Sequence, residues 1–197
     1  AVGLHYLETR AEELKVLSEK RKELNITRKT MKTAQYFNLP PIVDFDAVFI
    51  ADDGRIAGQV IPTFTFRDAK AMNFLGLTSW NSSQFLSRTT DQSEGALFPV
   101  AFNSLKPAKT TKAFYDLFLS TYNAYPGEFD AVAFDAASLV LKVMDHTPSS
   151  REDFKSELES VRRFDSATGE ITMDGHQCTR DLSLYTVKKN KFEVVEE

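Results

Sequence analysis

Cysteine is almost missing from these 197 residues. Cys178 stands by itself, so no internal disulfide can form and no cysteine-based zinc site can be assembled. His176 two places earlier makes an HxC pair, but only His5 and His146 remain elsewhere, and structural zinc wants four nitrogen or sulfur ligands. Cys178 therefore reads as a thiol in a surface hairpin. Glycine is scarce, and eight residues leave little for a phosphate-cradling loop. There is no G-x-S-x-G and no histidine beside a serine–acid constellation, so the chain reads as a non-enzyme, without cofactor or metal. Positive charge is not in excess: the net charge of -4 argues against nucleic acid, which needs a clustered basic surface. No apolar run approaches the ~20 residues that span a bilayer. No charged n-region and apolar h-region follow Ala1, so no secretory signal is read there. Processing removes such segments, which leaves the compartment open.

What is present suits a globular protein. Hydrophobic residues make up 42% and charged residues 26%, an ordinary balance, and sixteen phenylalanines supply bulky core material. The length allows one large domain or two small ones. Residues 46–86 organise the rest. They open on Ala47-Val48-Phe49-Ile50-Ala51, too short for a buried helix and read as an interior strand. Asp52-Asp53-Gly54 is a turn with a carboxylate placed to cap the segment after it. Ile56, Val60, Ile61 and Phe64 recur at helical spacing, with Pro62 costing some regularity, and Arg67-Asp68-Ala69-Lys70 is a polar break. Asn73-Phe74-Leu75-Gly76-Leu77 is a second short buried run. Two buried strands joined by a helix make a βαβ unit on a parallel sheet.

Ligands of such sheets bind beyond the carboxyl ends of the strands. Here those ends are Asp52-Asp53 and Thr78-Ser79-Trp80-Asn81, the candidate binding site. Thr78, Ser79 and Asn81 could exchange hydrogen bonds with a ligand while Trp80 stacks on a sugar or an apolar portion of it. The bland alternative has Trp80 filling the gap between loop and helix, and Asp53 merely capping.

On the N-terminal side, Leu4, Leu7, Leu14, Leu17 and Leu24 recur among charged residues, which predicts an amphipathic helix stopped by Asn25. Thr27 is placed to cap a second short helix to Phe37, with Met31 and Ala34 on one face. The basic excess over 20–32 suits either an anionic surface or a solvated helix face. Asn38-Leu39-Pro40-Pro41 forces an extended approach. Asp44 and Asp46 share one side around Phe45, as an acid pair or as a strand rim.

On the C-terminal side, Ser82 or Ser83 caps a short helix, and Glu94-Gly95 turns into a third strand over 96–102. Pro99 pushes that strand towards a sheet edge. Thr110 begins a helix with Phe114, Leu117, Phe118 and Tyr122 inward, stopped near Tyr125-Pro126-Gly127. The helix over 129–144 is so apolar that burial on more than one side is expected, which hints at missing neighbours. A charged helix over 151–161 follows Ser150, with Glu152 assisting the cap. Residues 169–175, 182–187 and 192–195 alternate as strands, with Lys189-Asn190 as a turn, so the tail is antiparallel.

Four stretches, in order, carry a family likeness: Phe45-Asp46-Ala47-Val48-Phe49-Ile50-Ala51-Asp52-Asp53; Phe74-Leu75-Gly76 with Thr78-Ser79-Trp80-Asn81; Glu94-Gly95-Ala96-Leu97-Phe98; and Phe134-Asp135-Ala136-Ala137 with Thr168-Gly169-Glu170-Ile171-Thr172-Met173-Asp174. From about residue 43 onward the chain resembles the second half of a type I periplasmic solute-binding protein, of the leucine/branched-chain amino-acid receptor type. The resemblance implies an α/β fold, a βαβ three-layer sandwich like that protein's second lobe, with a C-terminal antiparallel hairpin. A helical segment would occupy residues 1–38 and the lobe 39–197. With the first lobe absent, the chain would be a fragment or a truncated relative.

The implied function is a non-catalytic solute-binding module of the bacterial cell envelope, part of an ABC-transporter-type substrate-binding protein for a small polar ligand. Its site would be Asp52, Asp53, Thr78, Ser79, Trp80 and Asn81. In amino-acid receptors of the family the loop after the second of these strands supplies an acid to the ligand's ammonium. Thr78 holds that place here and is neutral, so the usual mode of binding a zwitterion is not expected. The Asp-Asp and Trp-Asn variant, with a charged helical insert, also resembles envelope lipoproteins that activate penicillin-binding proteins through protein contacts. Partners would be a small polar solute or an envelope protein, with the membrane involved only through a lipid anchor outside this chain. The implied location is the periplasm or cell envelope.

Overall fold

The computed structural model describes residues 2–69 and 72–195, with backbone only for residues 2–7. Lys70 and the side chains of Leu4 and Leu7 lie outside the described residues. The chain divides into two units, Ala1–Asp44 with Phe64–Ala71, and Phe45–Thr63 with Met72–Glu197.

The first unit carries helix α1, Val2–Glu23. Asn25 ends it as expected, in the left-handed conformation at φ 51, while Ile26 N donates to Arg21 O at 2.9 Å. The inward row differs from the expected leucines. Arg10, Glu13, Leu17 and Arg21 are half-buried, and Leu14 is exposed. Arg10 pairs with Glu13 at 2.8 Å and donates to Pro40 O, and Arg21 lies 4.9 Å over the Phe37 ring. The second helix is a single 3-10 stretch, Met31–Tyr36, begun at Thr30 rather than Thr27, because Thr30 N donates to Thr33 Oγ1 at 2.8 Å. Met31 is left 98% exposed.

The second unit is built on the βαβ pattern read from the sequence. Strand β1 is Ala47–Phe49, helix α2 is Gly54–Phe66 and strand β2 is Asn73–Leu75. The strands pair in parallel, with Val48 opposite Phe74 and Phe49 opposite Leu75. Pro62 sits inside α2 without ending it. A 3-10 turn, Thr78–Trp80, leads to α3, Ser83–Thr89, whose cap is Ser82: its Oγ accepts from Phe85 N at 3.2 Å. Strand β3 is Leu97–Val100, followed by α4 (Lys109–Tyr122), α5 (Glu128–Met144) and α6 (Arg151–Ser160). Then come β4 (Phe164–Ser166), β5 (Gly169–Asp174), β6 (Gln177–Arg180), β7 (Ser183–Lys188) and β8 (Lys191–Val194).

The main sheet has five strands in the order β1-β2-β3-β7-β8. Two strand expectations are corrected by it. β1 is an edge strand, not an interior one. β3 is central, not an edge, despite Pro99. It meets β2 only at Leu97, so two residues on, at Pro99, no β2 partner requires an N–H. On its other side β3 runs antiparallel to β7 over four residues, drawing the tail hairpin into the sheet. The β7–β8 turn is the expected pair Lys189-Asn190, both at positive φ, 51 and 57.

Ala57, Ile61, Phe74, Trp80, Phe85, Phe98, Val100, Tyr185 and Val187 are buried around this sheet. A second cluster joins Phe102, Phe114, Ala131 and Ala167, with Tyr115 and Phe118 against it. The inward stripe of α4 is therefore Thr111, Phe114, Tyr115 and Phe118, while Leu117 and Tyr122 point to solvent. α5 buries one stripe, Ala131, Asp135, Leu139 and Val143, and leaves Phe129, Val140, Leu141 and Met144 exposed. The double-sided burial expected of it is not met among these residues. Cap geometry at α6 centres on Asp153, not Glu152: Asp153 N donates to Ser150 Oγ at 3.1 Å, and Ser149 Oγ donates to its carboxylate. Those serine hydroxyls, Ser149 first, hold the Asp153 carboxyl below its usual range.

β4, β5 and β6 form a separate antiparallel sheet in which only β5 was read from the sequence. It is fastened to α5 through buried Asp135. That carboxylate accepts from Ala167 N at 2.7 Å, Thr168 N at 2.9 Å, Ser166 Oγ at 2.9 Å and Thr168 Oγ1 at 2.5 Å. Cys178 is exposed on β6 as expected, and His176 Nδ1 lies 2.6 Å from Glu159 Oε1.

Candidate functional site

The two loops singled out from the sequence emerge from adjacent parallel strands and are bonded to each other. Trp80 Nε1 donates to Asp52 O at 3.0 Å. A Cβ added to Gly54 would lie 2.9 Å from Ser79 O, so the start of α2 and the 78–81 loop approach closely enough to require glycine there. Asp53 Oδ1 accepts from Arg55 N at 2.8 Å and Ile56 N at 2.9 Å, which is the capping role foreseen for it. Its other oxygen lies 3.8 Å from the Arg55 guanidinium, with both groups largely solvated. Asp52 Oδ1 accepts from Asp53 N at 2.8 Å.

Trp80 has no exposed surface. Its ring stacks on Phe85 with centroids 4.8 Å apart and leans on Phe98 at 6.2 Å. Gly76 lies directly under it, since a Cβ there would come within 2.2 Å of the indole. Stacking on a ligand does not fit a ring so placed, whereas filling the gap between loop and helix does. Asp52, Asp53, Thr78 and Ser79 are exposed at the rim, and Asn81 is half-buried.

One residue at this rim was not singled out from the sequence. Thr78 Oγ1 donates to Glu128 Oε2 at 2.5 Å, bringing the first residue of α5 to the end of β2. The contact spans fifty positions and has no local signature, although an acid in the first turn of an apolar helix was visible. The rim thus holds three carboxylates, from Asp52, Asp53 and Glu128, beside hydroxyl and amide groups. Such a surface can bind and orient a polar solute. Among the described residues no group of three or more His, Cys, Asp or Glu is placed to hold a metal ion, and no helix is long and apolar enough to cross a membrane.

No family model and no curated protein sequence matches the chain. Solved structures do. A leucine-binding protein from Thermotoga maritima superposes with TM-score 0.63 at 18% identity, covering 77% of this chain and 44% of its own. A branched-chain amino acid transporter substrate-binding protein from Streptococcus pneumoniae, solved with isoleucine, gives 0.61 at 23%, covering 78% and 45%. An ABC transporter substrate-binding protein from Desulfitobacterium hafniense, solved with leucine, gives 0.60 at 18%, covering 93% and 48%. At these identities the likeness is one of fold, and the chain spans less than half the length of each protein.

Proposed function

We propose that this chain, which has the fold of a type I periplasmic binding protein, is a non-catalytic solute-binding module serving an ABC-type uptake system in the periplasm or cell envelope. The observation that carries the reading is the rim itself: two loops at the carboxyl ends of adjacent parallel strands, held together by Trp80 Nε1 and Asp52 O. A small polar solute is bound there by Asp52, Asp53, Thr78, Ser79 and Asn81, with Glu128 as an added acceptor. Trp80 acts from beneath, by fixing the loops. Thr78 is neutral where amino-acid receptors of the family carry an acid, and Glu128 brings a carboxylate to its hydroxyl. An ammonium-bearing ligand therefore has a negative group to meet at that place. In the neighbours a comparable lobe is one part of a longer protein, so tight binding belongs to the longer polypeptide.

A thermal-shift screen of that polypeptide against amino acids, sugars and short peptides tests the proposal. A stabilising solute whose effect is lost on Thr78→Val and on Glu128→Gln supports it. No shift from any solute, or a shift indifferent to both substitutions, contradicts it. A second reading, contact with an envelope protein such as a peptidoglycan synthase, draws on the exposed apolar residues Val140, Leu141 and Met144 of α5.

A further inference from the structure

The basic excess over 20–32 has no part in the rim. Lys20, Arg21, Lys22, Arg28, Lys29 and Lys32 stand there against one acid, Glu23, in a chain whose net charge is -4. Ser18, Arg21, Lys22 and Asn25 recur at the spacing of one helix face, at the C-terminal end of α1. Asn25 turns the chain back there, and Thr27 joins that face around a cavity of about 410 Å³ with Ile26 and Phe37 as its apolar wall. Arg21 is half-buried and lies 4.9 Å over the Phe37 ring. No carboxylate of the described residues pairs with Arg21 or Lys22, and neither Glu19 nor Glu23 lines the cavity. A guanidinium held on an aromatic ring has already lost much of the rotamer freedom that a ligand would otherwise have to remove.

We infer that this cavity binds the phosphate group of a phosphate monoester, with the organic part of the ester against Ile26 and Phe37. The donor set selects the group. Arg21 offers a fork of N–H donors, Lys22 an ammonium, Ser18 and Thr27 hydroxyls and Asn25 an amide. That is more than the two oxygens of a carboxylate accept, and it suits the three terminal oxygens and near-double charge of a phosphate monoester. The C-terminal end of a helix opposes an anion by roughly half a unit charge, which the two full cations outweigh. Its carbonyls are also occupied, since Lys20 O, Lys22 O and Arg21 O accept from Leu24 N, Asn25 N and Ile26 N. A soluble ester and the headgroup of a phosphatidic acid lipid present the same chemistry.

Calorimetric titration of the chain with phenyl phosphate tests the inference, with benzoate as the carboxylate control at equal ionic strength. Phenyl phosphate binds saturably, and benzoate binds at least about tenfold more weakly. Arg21→Gln and Lys22→Gln each weaken phenyl phosphate by about tenfold or more, and Arg21→Lys, which keeps the charge and loses the fork, recovers only part of the loss. Lys22 is exposed, so its variant decides the matter where Arg21→Gln disturbs the Phe37 contact. Lys15→Gln, outside the cavity, leaves the affinity unchanged. Sedimentation with phosphatidylcholine vesicles, with and without phosphatidic acid, separates the two sources. Binding of phenyl phosphate supports a soluble ester. Retention by the phosphatidic acid vesicles alone, lost on Arg21→Gln and on Lys22→Gln, supports a lipid headgroup. The inference is overturned when neither probe binds, when benzoate binds as tightly as phenyl phosphate, or when binding ignores both cavity variants. Lys15→Gln doing as much damage as Lys22→Gln overturns it too, by showing attraction to general charge alone.

Discussion

Trp80 places its whole ring among Phe85, Phe98 and the backbone at Gly76, while its Nε1 holds the loop that carries Asp52. Its position between two polar loops suggested a ligand-facing residue, but ring size decided otherwise: an indole in reach of a core is worth more buried than exposed. Trp80→Ala should therefore cost about 3–5 kcal/mol in a urea titration, by loss of burial and by the cavity left behind. A cost under about 1 kcal/mol would contradict the burial. Asp135 is the opposite case, a carboxylate with no exposed role that four donors surround. Asp135→Leu strands those donors, and a loss of at least about 3 kcal/mol is expected in the same titration. Tyr185 gives a pH signature. Burial raises its phenol above the ordinary value of 10.0, with Leu105 N and nearby groups acting the other way more weakly. The fold favours the neutral phenol, so this contribution is complete below about pH 10 and is lost as the pH climbs through the folded value. A spectrophotometric titration should show a late tyrosine ionisation that Tyr185→Phe removes.

At the scale of elements, legibility followed the range of the signal. Some caps and turns were readable because the decisive atoms lie within four residues: Asp53 for α2, Ser82 of the two serines offered for α3, Asn25 after α1 and the Lys189-Asn190 turn took the expected roles, whereas the caps expected at Thr27 and Glu152 fell instead on Thr30 and Asp153. What depended on partners far along the chain was not readable. Pro99 argued for an edge, and only the short reach of β2 permits it a central strand. Ala47 to Ala51 argued for an interior strand and lies at an edge. β4 and β6 are too short and polar to alternate visibly, and they exist through pairing with β5. The β7–β8 turn offers a quantitative check. Both of its residues have positive φ, so Lys189→Asn with Asn190→Gly should raise stability by roughly 0.5–1 kcal/mol, measured by thermal unfolding. Destabilisation would mean the turn is of another type.

At the scale of the whole molecule, the four stretches that carried the family likeness did so because they mark strand ends and a helix that any protein of this fold must place together. The rim was legible to the extent that it follows from strand direction: Asp52 and Thr78 stand beside each other because β1 and β2 run the same way. Glu128 was not legible, since α5 reaches Thr78 only after β3 and α4 have turned the chain back. The stripe of α5 opposite its buried one, with Val140, Leu141 and Met144, is exposed, and the chain matches under half of each structural neighbour. The most direct measurement is a titration of the isotope-labelled chain with leucine, and then with a panel of polar solutes, tracked through the backbone amide shifts of every assigned residue. Solute binding at the rim predicts saturable shifts confined to residues 52–55, 78–81 and 128. Saturable shifts elsewhere, or none for any solute at millimolar concentration, would contradict it.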